Sequence, residues 1–146
     1  MASIHKETLI EADPSAVWDA LRDVGALHTR LAPGFVTDVR MEDGARVVTF
    51  GNGVIAREVI VDIDDEKRRL VWSSVGGRMT HHNASAQVCA GPGGQARFVW
   101  IADLLPHEVA PAIAAMMDQG LATIKRTMET APDMHRSKPS SRGSTA

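Results

Sequence analysis

His81 and His82 are neighbouring imidazoles in a segment rich in strand-forming residues. Imidazole titrates near pH 6.5, so a histidine inside a pocket could give or take a proton, or simply orient a polar group. Adjacent strand residues point to opposite faces, so the two rings cannot easily chelate one metal and at most one faces inward. Parity with Val88 favours His82, although a bulge would exchange it with His81. The plainer alternative is a polar side chain that orients a ligand or lies on the surface. Arg57 is in phase with Val59, Val61 and Ile63, read as the inward residues of their strand. An inward guanidinium would pair with a ligand carboxylate or an internal acid; the alternative is an exposed strand start. Asp103 either caps the segment that follows or stands at a pocket mouth, and capping is the safer assignment.

Other candidates carry less. Asp62, Asp64, Asp65 and Glu66 form an acidic run without the central Gly and terminal Glu of a calcium loop, and read as a solvated turn. The glycine clusters lack any phosphate-cradling spacing, and there is no GxSxG elbow or HExxH pair. Cys89 has no evident base beside it and reads as a packing residue. No metal and no cofactor is expected.

The elements that must position these residues belong to one globular domain of 146 residues, 44% hydrophobic and 23% charged, with a formal net charge of −2. Arg136, Lys138 and Arg142 against Asp133 make residues 133–146 a basic tail of +2, leaving −4 on residues 1–132. An acidic body has no electrostatic reason to approach phosphate backbones, so nucleic acid is not an expected partner. The Ser-rich tail reads as disordered, with a nucleic-acid arm as its alternative. A lone cysteine fits a reducing compartment. No apolar leader opens the chain and no stretch approaches 18 apolar residues, so a cytoplasmic protein without a membrane span is expected.

Residues 3–12 read as a strand, and Asp13-Pro14 as the N-cap and first position of a helix carrying Val17, Trp18 and Leu21. Trp18 is read as a core anchor. That helix should end near Gly25, with a second short one over 26–31. Strands follow at 35–41, 46–50, 54–63, 69–75, 80–89 and 97–103, joined by short turns in an antiparallel meander. Val109, Ile113, Met116, Met117, Leu121, Ile124 and Met128 then form one helical stripe ending near Glu129. Pro111 is tolerable only in the first turn, which moves the helix start toward Glu108. The expected fold is α+β: a seven-stranded curved antiparallel sheet wrapped around a long C-terminal helix, with two short helices after the first strand.

Strand parity puts Phe98 and Trp100, His82 with Ala84 and Ala86, and Leu70 with Trp72 on shared faces. Small residues beside two tryptophans predict a pocket with Trp walls and a Met-lined helical lid. A fully packed core is the alternative. The chain has only six aromatic side chains, three Trp and three Phe, which leaves few to fill such a space.

The segments I-E-A-D-P-S-A-V-W-D-A-L at 10–21 and R-F-V-W-I-A-D-L-L-P at 97–106 carry a resemblance to a known family. V-I-V-D-I-D-D-E-K-R-R-L-V-W at 59–72 and M-M-D-Q-G-L-A-T-I-K-R-T-M-E at 116–129 support it. Over residues 3–130 the chain resembles the START-like (SRPBCC, helix-grip) superfamily, and within it the bacterial polyketide cyclase/dehydrase and lipid-transport group. The resemblance implies a cavity between sheet and C-terminal helix that takes lipids, polyketides or other hydrophobic molecules. It implies no particular reaction, and the group has no single catalytic signature.

The leading expectation is a domain over 1–132 that binds a small hydrophobic molecule for carriage or sensing. The expected ligand-binding residues are Phe50, Trp72, His82, Phe98, Trp100, Met116, Met117 and Gly120, where glycine permits close approach. A cyclase or dehydratase using the same cavity, with His82 or Arg57 moving a proton, is the second reading. An interaction module resembling the chaperone co-activators of the superfamily is the third. A homodimer through a sheet edge is left open by the sequence.

Overall fold

The computed structural model describes residues 2–130. The basic tail at 133–146 lies outside the described residues. Strand β1 (Ala2–Ile10) turns into helix α1 (Pro14–Arg22). The Asp13 carboxylate accepts the Ser15 backbone N–H at 2.7 Å, and Pro14 occupies the first turn, where its missing N–H is harmless. The helix ends at Arg22, earlier than Gly25. A 3₁₀ turn (Val24–Ala26) and a π turn (Leu27–Leu31) take the place of the single short helix expected there.

Six further strands follow: β2 (Val36–Glu42), β3 (Ala45–Phe50), β4 (Ile55–Asp64), β5 (Arg69–Val75), β6 (His81–Ala90) and β7 (Ala96–Leu105). All seven make one antiparallel sheet in the order β1-β7-β6-β5-β4-β3-β2, so each strand after β1 pairs with its sequence neighbour and β7 returns to β1. A 3₁₀ turn (His107–Val109) leads into α2 (Ala110–Thr130), which keeps Pro111 in its first turn. Asp103 does not cap this helix. It lies inside β7 opposite Asn83 and Ser3, because pairing continues to Leu105.

Helix α2, about 30 Å long for its 21 residues, is tied to the β1 side of the sheet. Lys6 Nζ lies 3.2 Å from Asp118, Lys125 Nζ donates to the Leu9 carbonyl at 2.7 Å, and the Glu11 N–H donates to Glu129 at 2.9 Å. The apolar stripe of α2 meets the inner sheet face, where Ile10, Leu70, Phe98 and Met117 are fully buried with Val17 and Leu31. Trp18 is buried as the sequence predicts, and its Nε1–H donates to Asp65 at 3.0 Å while Arg22 grips the same carboxylate at 2.6 Å. The acidic turn therefore has a structural duty: Asp65 moors α1 to the β4–β5 connection. No helix among the described residues is long and apolar enough to cross a membrane.

Candidate functional site

The inner face of the sheet is organised in cross-strand rows, because directly opposed residues of antiparallel strands point the same way. One row runs Ile60, Trp72, Ala84, Ala102 and Ile4 across β4, β5, β6, β7 and β1. In the next, Trp100 stands opposite Ala86. The alanines form a floor, and the Trp72 and Trp100 rings meet beside it at 6.2 Å between centroids and 49° between planes. Much of the volume the alanines leave is thus taken by the indoles themselves.

Helix α2 comes down on this surface at Gly120. A Cβ there would lie 2.9 Å from Trp100 Cζ3 and 3.0 Å from Phe35 Cε2, both rigid ring atoms. Phe35 in turn meets Phe50 edge-on at 5.6 Å. The structure therefore brings Trp72, Phe98, Trp100, Met117 and Gly120 together in one core, with Met116 against its side and Phe50 joined through Phe35. Phe98 and Met117 are sealed inside it. Ile60, Trp100, Phe35, Ile113 and Met116 face the same core but stay half-buried. Each keeps part of its apolar side chain within reach of solvent.

A polar row lies one step further along the sheet. Arg46 on β3 stands opposite Glu58 on β4, which stands opposite Ser74 on β5. Arg46 Nε donates to Glu58 Oε1 at 2.9 Å, with both side chains buried. The guanidinium also donates to the Val24 carbonyl at 3.1 Å and lies 5.8 Å from the centre of the Trp72 ring. Burial pushes the Glu58 carboxyl above its ordinary pKa, and Arg46 opposes that shift.

The phase that groups Arg57 with Val59, Val61 and Ile63 as inward residues does not hold, and Arg57 is exposed, which is the alternative the sequence also offers. A bulge at Val61 shifts the register of β4 against β5, so the inward residues are Glu58, Ile60 and Ile63, while Val61 is 56% exposed. Arg57 is on the outer face, where its Nε donates to Glu42 at 3.0 Å. Among the described residues the buried charged side chains are instead Arg46 and Glu58. Nothing in their local sequence marks them, because their partnership depends on the β3–β4 register.

His82 occupies the end of this face. It is buried and shares the side of Ala84, Ala86 and Val88, while His81 is exposed. The paired register of β5 with β6 runs from Arg69 and Gln87 to Trp72 and Ala84 and stops. Beyond it side chains stand in for ladder bonds: Ser73 Oγ donates to the His82 carbonyl, and the Ser74 N–H donates to His82 Nδ1 at 2.9 Å. Burial lowers the His82 pKa, the neighbouring His81 adds to that, and Asp103 opposes it. An open pocket of about 470 Å³ lies here, lined by residues 73–76 and 79–83. Of the eight expected ligand-binding residues, His82 is the one on its wall.

The family profile described as polyketide cyclase / dehydrase and lipid transport matches residues 1–129. Similar solved structures include the protein XoxI from Bacillus cereus, with a TM-score of 0.81 and 16% identity over 89% of this chain and 97% of that one. A Thermobifida fusca protein has a TM-score of 0.67 and 23% identity, covering 88% and 91% of the two chains. Ara h 8.0201 has a TM-score of 0.71 and 15% identity, covering 89% and 99%. At such identities these likenesses speak to fold alone. No curated protein matches the chain.

Proposed function

The chain belongs to the polyketide cyclase/dehydrase and lipid-transport family of the START-like (SRPBCC) helix-grip superfamily, and from that premise we propose that it binds a small hydrophobic molecule between the sheet and α2. The observation that carries this reading is the half-buried inner surface of Ile60, Trp100, Phe35, Ile113 and Met116. These side chains face the core without being closed off from water, so an apolar guest would finish their burial at about 25 cal/mol for each Å² covered. Carriage or sensing in the cytoplasm is the role proposed for the bound form.

The test is displacement of an apolar naphthalene dye, followed by native mass spectrometry of the full chain. A bound species is expected, with Trp100→Ala weakening dye binding more than it lowers stability. No bound species in either measurement, or a Trp100→Ala variant altered in stability alone, would overturn the reading. The cyclase reading needs a proton-moving group at the cavity. Arg57 faces solvent and His82 has Nδ1 engaged, so no specific observation favours it.

A further inference from the structure

A neutral imidazole has one N–H and one bare nitrogen, and the partner of either fixes the identity of the other. His82 Nδ1 accepts the Ser74 backbone N–H at 2.9 Å, so Nδ1 is the bare nitrogen and the proton is on Nε2. Protonating the ring would set an Nδ1–H against the Ser74 N–H. Burial and the adjacent His81 also disfavour the cation, while Asp103 alone among the neighbouring charges favours it.

His82 is on the wall of the 470 Å³ pocket, a volume within the range of small-molecule sites, roughly 300–1,000 Å³. No described residue makes a hydrogen bond to Nε2, although the side chain as a whole is buried. Nε2 is not sealed from solvent, since the one buried unpaired side-chain polar atom among the described residues is His28 Nδ1, so an oriented donor on the pocket wall is open to an acceptor from outside the protein. Val75 and Met79 supply apolar wall beside it, and the neighbouring Ser73 hydroxyl already donates to the His82 carbonyl.

We propose that this pocket takes the oxygen-bearing end of an otherwise apolar ligand, with His82 Nε2–H donating to a carbonyl oxygen. The proposal rests on the small-molecule reading above and narrows it to ligands that present an acceptor. Groups that only donate, and cations, have no partner at this nitrogen. His82 is then a positioning and specificity residue and neither an acid nor a base. To take a proton it would have to use Nδ1, which requires giving up the Ser74 bond that holds the ring in place.

Two probes of nearly equal shape test this on the full chain: 2-acetonaphthone, which has a carbonyl, and 2-ethylnaphthalene, which has none. Their affinities are read by tryptophan quenching for the natural protein and for His82→Phe, and the ratio of the two is compared between proteins so that differences in hydration cancel. The carbonyl preference should fall about three- to tenfold in the variant, the worth of one neutral hydrogen bond. Nitrogen-15 NMR of the natural protein, which does not depend on the variant folding, should show a bare Nδ1 and a protonated Nε2 whose proton shifts with 2-acetonaphthone alone. Binding of both probes with an unchanged ratio, or a proton found on Nδ1, overturns the His82 assignment and leaves the ligand-binding reading standing. Binding of neither probe removes that reading and the proposal with it.

Discussion

Arg46 and Glu58 face each other across β3 and β4 on the inner face of the sheet, joined at 2.9 Å and shielded from water. Two charges taken out of water lose several kcal/mol of hydration each, and their attraction repays this only with good geometry and further partners. Here Arg46 has the Val24 carbonyl and the Trp72 ring as well as the carboxylate. The pair therefore links the turn after α1 to the aromatic floor.

Breaking the pair should cost more than removing it. Arg46→Met leaves an uncompensated carboxylate in the core and should destabilise the domain by about 3–5 kcal/mol. Adding Glu58→Leu should recover most of that loss, leaving about 1 kcal/mol for the orphaned Val24 carbonyl. Urea unfolding of both single variants and the double variant gives the coupling directly. Additive losses would mean that the two charges act independently.

Gly120 makes a second case, since the contact there is between backbone and rings. Gly120→Ala gains about 1 kcal/mol of helix propensity but sets a methyl 2.9 Å from Trp100 and 3.0 Å from Phe35. Overpacking of this kind costs about 1–3 kcal/mol, so a net loss of up to about 2 kcal/mol is expected. The variant should also change the near-UV dichroism of the Trp72–Trp100 pair. A gain in stability with an unaltered aromatic signal would show that α2 does not press on the rings.

These two sites divide what the sequence could and could not disclose. Strands β5, β6 and β7 pair with one another without a register shift, so counting by twos from Val88 puts His82, Ala84 and Ala86 on the correct face, and the same counting serves Trp72, Phe98 and Trp100. The α2 stripe predicts the burial of Met117, Leu121 and Ile124 because a helix repeats regularly. Strand β4 is different. Its bulge at Val61 breaks the alternation, and parity counted back from Ile63 put Arg57 in the place of Glu58. The hydrogen bond from Ser74 to His82 was out of reach for another reason: it forms where the regular ladder ends, and its partners come from different strands.

Asp65 gives a test of how α1 is held. Its carboxyl pKa is lowered by hydrogen bonds from Arg22 and then Trp18. A depressed pKa contributes stability that is present above the unfolded value and is lost as pH falls through the folded one. Asp65→Ala should lower the melting temperature and speed amide exchange within Pro14–Arg22 more than elsewhere. Uniform acceleration across the domain would argue that α1 is held by its apolar face alone.

The pH dependence of stability should report His82. Its folded pKa lies below the ordinary histidine value, so as pH falls through about 6.5 the unfolded chain takes up a proton that the native ring refuses. Stability from this source is full above that value and declines below it. Glu58 works in the opposite sense: its raised native pKa gives stability that is present below about 4.5 and lost as pH rises through the folded value. Exposed His81 and Asp103 on the neighbouring strand remain in both proteins when the natural chain is compared with His82→Phe, so their contributions largely cancel. From about pH 7.5 to about pH 5 the urea midpoint of the natural protein should fall relative to that of His82→Phe, because the natural protein alone loses the His82 contribution. Parallel curves would mean that His82 titrates alike in both states, with no preference for the neutral ring that the Ser74 hydrogen bond demands.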